Sequence, residues 1–135
     1  MTRVQLEREL AAGVTFRGYE DDTGALVGVM GIQPVDDVTL VRHAYVRPDR
    51  QGRGIGGALL SHLERLTTGP VLIGTWAAAT WAIGFYQSQG YALVPEAETP
   101  ALLRRYWDVS PRQVETSVVL RKPAPSHTSI VAEHP

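Results

Sequence analysis

From residue 14 onward the apolar positions change period several times, and each change marks an element. Residues 14–19 and 25–32 are β-branched, aromatic or small, and the Asp21-Asp22-Thr23-Gly24 cluster between them is a turn signal, which predicts an antiparallel hairpin. Residues 34–37 make the next turn and residues 38–47 a third strand. A period of two puts Val38, Leu40, Arg42, Ala44 and Val46 on one face, and Thr39, Val41, His43, Tyr45 and Arg47 on the other. Both faces are mixed, as expected of a central strand whose end opens into a site, and Pro48 ends it. Helical spacing then takes over: Ile55, Leu59, Leu63 and Leu66 form one stripe with Leu60 beside it, until Thr67-Thr68-Gly69-Pro70 breaks the helix. Residues 71–75 read as a short, fully buried strand, and the alternation of strand, helix and strand predicts a parallel pair with a right-handed crossover.

A second helix is expected over residues 78–89, with Ala78, Trp81, Ala82 and Phe85 on one side and Gly90 as its cap. Residues 91–94 read as a strand and residues 101–107 as a helical turn or ordered loop. After the Ser110-Pro111-Arg112 break, residues 114–120 read as a last strand through Val114, Thr116, Val118 and Leu120. Residues 3–12 suit a short helix that Gly13 would stop. Residues 1–122 are expected to form one domain, and residues 123–135, rich in proline, serine and threonine without an apolar period, a disordered tail.

Composition narrows the function classes. With 135 residues, 44% of them hydrophobic, the chain fits one domain with a real core. A net charge of -1 argues against a nucleic-acid partner. The absence of cysteine excludes disulfides, thiolate metal sites and a cysteine nucleophile. No apolar run approaches the roughly 20 residues of a membrane span, and no signal-peptide core opens the chain, so the expectation is a cytoplasmic protein away from membranes. His62, His127 and His134 are scattered without paired spacing, and no metal is expected.

The chemistry concentrates in Gln51-Gly52-Arg53-Gly54-Ile55-Gly56, where glycines precede a helix start. Such a loop offers unpaired backbone N–H groups and the positive end of the helix dipole to phosphate oxygens. It also reads as an ordinary strand-to-helix connection. It lacks the Lys-Ser/Thr pair of a P-loop and does not match a dinucleotide fingerprint, which leaves the pyrophosphate of another cofactor.

The pattern Gln51-x-x-Gly54-x-Gly56 after Val46-Arg47-Pro48, followed about 30 residues later by Ala82-Ile83-Gly84-Phe85-Tyr86-Gln87-Ser88-Gln89-Gly90-Tyr91, resembles the GCN5-related N-acetyltransferase (GNAT) superfamily. The resemblance covers residues 14–120, and Leu102 to Trp107 with Gln113 to Leu120 is similar to a bacterial branch without a settled substrate. It implies an α/β fold: a mixed, mostly antiparallel twisted sheet with a splayed parallel strand pair and flanking helices, here expected to lack the family's first strand and helix. Either the start of the sequence is late, or the edge left by that shorter front is covered by the tail or by a second subunit in a homodimer.

The resemblance also implies acetyl-CoA as cosubstrate. Gln51, Gly52, Arg53, Gly54, Ile55 and Gly56 would wrap its pyrophosphate, with Tyr45 and Val46 along the strand end and the Val46 N–H polarising the thioester carbonyl. Tyr86 would face the thiolate as general acid, its alternative being a packed core aromatic. Family members often carry Asn where Ala79 stands, which removes one cofactor hydrogen bond. The residues themselves then pose a proton problem. An alkylamine of pKa near 10.4 costs roughly 4 to 5 kcal/mol to deprotonate at pH 7, against about 2 kcal/mol to expel a thiol of pKa near 8.5 as thiolate. No glutamate lies on the third strand, so His43 is the candidate base, with a sheet histidine that shapes the pocket, or water-mediated deprotonation, as alternatives. Glu20, Asp21 and Asp22 read as solvated turn residues and Glu115 as a strand-face charge. Trp76, Tyr106 and Trp107 are expected to wall the acceptor pocket, with Arg42 or Arg104 as contacts for a carboxylate.

The expectation is therefore N-acetyl transfer from acetyl-CoA to a small-molecule primary amine by direct attack. The alternatives are a non-catalytic acyl-CoA-binding module and, third, a nucleotide-dependent regulatory domain.

Overall fold

The structure is a computed structural model that describes Glu7 and residues 10–124. Its sheet has six strands in the order β1-β2-β3-β4-β6-β5. The first hairpin joins β1 (Thr15–Glu20) to β2 (Leu26–Val35) antiparallel. Its turn is closed by Asp21, whose carboxylate accepts from the Thr23 N–H, the Thr23 hydroxyl and the Ala25 N–H. Gly24, at φ +84°, takes the left-handed position that a side chain would resist. Strand β3 (Val38–Val46) pairs antiparallel with β2 and parallel with β4 (Val71–Trp76).

The β3–β4 pairing covers only Thr39 with Val71 and Leu40 with Leu72. Beyond that point β4 keeps its other neighbour, running antiparallel to β6 (Ser117–Lys122) as far as Trp76 opposite Ser117, while β3 leaves it. This parting explains why only Val71, Leu72 and Ile73 of β4 are buried and the strand is not enclosed throughout.

Helices cover both faces. On one face α1 (Ile55–Glu64) and α2 (Thr80–Ser88) pack Ile55, Leu59, Leu60, Leu63 and Tyr86 against Met30, Ile32, Val41 and Ile73. On the other, α3 (Thr99–Tyr106) and α4 (Pro111–Thr116) pack Leu103, Tyr106 and Val114 against Leu40, Leu72 and Val119. The short β5 (Ala92–Leu93) closes the sheet beside β6.

Three expectations are corrected. Residues 114–116 are helical, because Ser110 and Gln113 form a reciprocal capping box with Pro111 in the first turn, and the strand starts at Ser117. Trp81 does not join the packed side of its helix: it is 77% exposed, and Ala82, Ile83, Phe85 and Tyr86 face the core instead. Leu66 lies past the end of α1 and is exposed, so the stripe ends at Leu63. Gly90 does cap α2, at φ +95°, with the Tyr91 N–H on the Tyr86 carbonyl and its own N–H on that of Gln87. The helix expected over residues 3–12 lies largely outside the described residues; Glu7, Leu10 and Ala11 are helical, and Gly13 donates to the Leu10 carbonyl. Apart from Pro123 and Ala124, the tail also lies outside them.

Candidate active site

The cleft opens where β3 leaves β4, and a bulge sets its geometry. Val29 pairs with Tyr45 but Gly31 with Arg42, so β3 carries one extra residue there. His43 sits at this point with φ +54°, left-handed for a residue with a side chain. The extra residue reverses the alternation assumed from the sequence: Val46 packs with Val41 against the α1 face, whereas Leu40 faces the opposite core. The His43 ring lies beside Phe16, centroids 5.9 Å apart. Tyr45 is exposed.

The Val46 amide is aimed into the gap. The next residue, Arg47, donates its N–H to the Val27 carbonyl of β2. Successive N–H groups alternate sides along a strand, so that of Val46 faces β4. The Val46 carbonyl accepts from the Gln51 side chain at 3.2 Å, which folds the glycine loop back over the strand end.

Within the loop, Gly52 (φ +80°) and Gly54 (φ +79°) hold left-handed backbone, and Gly54 is the N-cap of α1. Among the described residues no side chain caps this helix, and its first turn has no acidic residue, so its leading N–H groups have no intrahelical or side-chain acceptor there. Gly56 answers a different need: a Cβ there would lie 3.2 Å from the Phe85 ring, so its small size lets α1 approach α2. Arg53 has no ion-pair partner among the described residues.

Asp21, expected to be a solvated turn residue, braces this loop. Its carboxylate pairs with Arg50 at 3.1 Å, and Asp49 pairs with Arg47 at 2.7 Å and Arg50 at 3.3 Å. The Thr23 hydroxyl, then Arg50 and the Thr23 N–H, hold the Asp21 carboxyl well below the usual carboxylate range. A carboxyl pKa lowered by folding stabilises the fold fully above the ordinary value near 3.9 and loses that effect only in stronger acid, so Asp21 remains an anion throughout the neutral range. Asp21→Ala is expected to weaken binding of a phosphate ligand by about two- to fivefold, less at high salt, in a titration calorimeter. Unchanged affinity at low salt would remove the bracing role.

Tyr86 is 7% exposed, edge-on to Phe85 and Tyr91, and its hydroxyl has no hydrogen-bond partner among the described residues. Burial raises its pKa. Tyr91, by contrast, donates to Glu64 at 2.7 Å, and Lys122 bridges Glu64 and the Gln89 carbonyl. Ala79 is buried at the N-cap of α2.

On the opposite face Trp76 and Trp107 line one cavity. Tyr106 does not line it. Its side chain is buried in the α3–α4 core and donates to Asp37 at 2.7 Å, in the β2–β3 turn at the closed end of the sheet. Arg42 donates to the Gln33 side chain at 3.0 Å, and Arg104 lines a separate, larger cavity. Among the described residues there is no cluster of three or more histidine or acidic side chains able to hold a metal, and no helix long and apolar enough to cross a membrane.

The comparisons with known proteins agree with this fold. A family profile described as "Acetyltransferase (GNAT) domain" matches residues 13–93. A GNAT-family acetyltransferase from Staphylococcus aureus superposes with a TM-score of 0.69 at 16% identity, covering 89% of this chain and 74% of that one. The PaiA N-acetyltransferase of Thermoplasma acidophilum in complex with coenzyme A gives 0.66 at 14% identity, with 89% and 67% covered. A GNAT-family acetyltransferase of Elizabethkingia anophelis with acetyl-CoA bound gives 0.67 at 18% identity, with 90% and 83% covered. At these identities the likeness is one of fold. A sequence search of curated proteins found no match.

Proposed function

Since the chain belongs to the GNAT acetyltransferase family, we propose that it moves the acetyl group of acetyl-CoA to a primary amine of a small molecule by direct attack. The observation that carries this reading is the gap between β3 and β4, with the Val46 N–H turned into it beneath the uncapped start of α1. The α1 N–H groups, with Arg53, would hold the pyrophosphate. The pantetheine arm would lie along β3, past Tyr45, in place of the missing β4 pairing. The Val46 N–H would then meet the thioester oxygen where negative charge develops.

His43 is assigned as the base or as the group that orients a water. Its place in the bulge lifts it out of the regular strand alternation, three residues past the last β3–β4 pair. Tyr86 is assigned to the leaving sulfur. An acyl-CoA-binding module without turnover is the second reading, favoured by the deep burial of Tyr86 and by a methyl group, that of Ala79, at the start of α2 where family members often carry Asn.

A thermal shift tests the common part. A ligand at about 100 times its Kd adds roughly 2.7 kcal/mol of stability, so acetyl-CoA is expected to raise the Tm clearly while ATP and NAD do not. No shift with acetyl-CoA removes both readings. Release of free thiol with a panel of amines separates transfer from binding alone.

A further inference from the structure

Resting on the acetyl-transfer reading of the cleft, we propose that the acceptor is a small primary amine on an uncharged, apolar body, seated against the Trp107 indole in a cavity of about 170 Å³ on the α3–α4 side of the sheet. The wall of this cavity depends on a side chain that β4 gives up. Leu72, Gly74 and Trp76 alternate onto this face, as the packing of Leu72 with Leu103 and Val119 fixes. A Cβ on Gly74 would lie 3.2 Å from the Trp107 ring, so the indole occupies the space that the glycine leaves. Trp76, Leu103 and Val109 supply the other apolar walls, with Thr75 and Gln113 as polar neighbours.

Two properties of this cavity select the acceptor. Among the described residues no charged side chain lines it, so a carboxylate carried by the acceptor would be taken out of water without a counter-ion. Its volume is below the roughly 300 to 1,000 Å³ of sites for drug-sized ligands, which limits the acceptor to a small body. The neighbouring cavity of about 690 Å³ has the opposite character, with Arg104, Glu96 and Glu115 on its wall. An amino-acid acceptor would find its partners there and not beside Trp107.

The location also fits the chemistry. Counting from the pair Leu40 with Leu72, Trp76 stands at the splayed end of β4, across the gap from the end of β3. An apolar cavity disfavours the ammonium form of the acceptor and lowers its pKa, which reduces the demand on His43. The neutral nitrogen bonds the acyl carbon and the C–S bond breaks. One nitrogen-bound proton leaves through His43 or water, the sulfur takes up one proton, and an amide and a free thiol result.

The test uses matched pairs that differ only in a carboxylate: phenethylamine with phenylalanine, and tyramine with tyrosine, at saturating acetyl-CoA with free thiol as readout. The amines are expected to exceed their amino-acid partners in kcat/KM by on the order of 100-fold. Trp107→Ala is expected to raise the KM for phenethylamine about tenfold with little change in kcat. Gly74→Ala, a milder change, should raise the KM for phenethylamine more than that for ethylamine while the acetyl-CoA thermal shift is retained. Equal or better turnover of the amino acids overturns the proposal, as does a panel in which neither class reacts although acetyl-CoA raises the Tm. Unchanged KM values in a folded Gly74→Ala protein overturn the role of Trp107. Absence of the thermal shift in the wild-type protein overturns the acetyl-transfer reading itself, and this proposal with it.

Discussion

Tyr86→Phe is expected to lower kcat by roughly 30- to 100-fold while leaving the ligand-free protein at least as stable as wild type. The first half follows from the leaving group. A thiol of pKa near 8.5 departs as thiolate at a cost of about 2 kcal/mol at pH 7, which corresponds to some 30-fold in rate. Burial raises the Tyr86 phenol above its ordinary value near 10, so it is a weaker acid than the thiol. In the role proposed for it, it would serve by hydrogen-bonding the sulfur as charge develops, as an oxyanion-hole donor does, before any complete proton transfer. The second half follows from a hydroxyl that has no hydrogen-bond partner among the described residues. A buried polar group without a hydrogen bond costs stability, so its removal costs nothing and can raise the Tm. Single-turnover thiol release together with the Tm of the ligand-free protein checks both. A variant with unchanged kcat makes Tyr86 a core residue; one with a lowered Tm means that the hydroxyl has a partner in the fold.

How far this site can be read from sequence depends on the range of the interaction. The hairpin at Asp21 to Gly24, the Gly54 helix start and the Gly90 cap are local, and each has a residue type that the backbone demands. The capping box of Ser110 and Gln113 is also local, but Val114, Thr116, Val118 and Leu120 alternate so regularly that a period of two reads as strand through the helix. A bulge at a histidine leaves no mark in composition. His43 could as well be in regular strand, and the slip of one residue reassigns Val46 to the other face. The pairing of Asp21 with Arg50, the seat of Trp107 on Gly74 and the attachment of Tyr106 to Asp37 join residues far apart in the chain. Aromatic content near a strand end marks Trp76, Tyr106 and Trp107 alike; only the fold distinguishes the two that line the cavity.

Gly28→Val is expected to destabilise the protein by about 2 to 3 kcal/mol and to weaken acetyl-CoA binding at the same time. Gly28 lies in β2 opposite Val46, and its backbone is not in the left-handed region, so conformation does not require glycine there. Two terms favour valine: β-propensity, within a scale of about 1 kcal/mol, and the lower entropy of the unfolded chain, about 0.4 to 1 kcal/mol. Sterics oppose them. A Cβ would lie 2.9 Å from the Ile55 Cγ2 and 3.2 Å from the Leu59 Cδ1, and both side chains are buried in the first half of α1. The Ile55 methyl sits on a stiff, β-branched side chain, so relief requires the start of the helix to lift from the sheet. That start carries the N–H groups assigned to the pyrophosphate, so the same displacement that lowers the Tm should weaken the ligand. Ile55→Ala is a loss by itself, but in combination with Gly28→Val it makes room for the new methyl groups and should recover part of both effects. A double-mutant cycle by urea denaturation, with acetyl-CoA titrations on the same proteins, measures the coupling. Additive losses of stability would mean that Gly28 and Ile55 do not share this contact, and unchanged acetyl-CoA affinity in Gly28→Val would separate the packing of α1 from the binding of the cofactor.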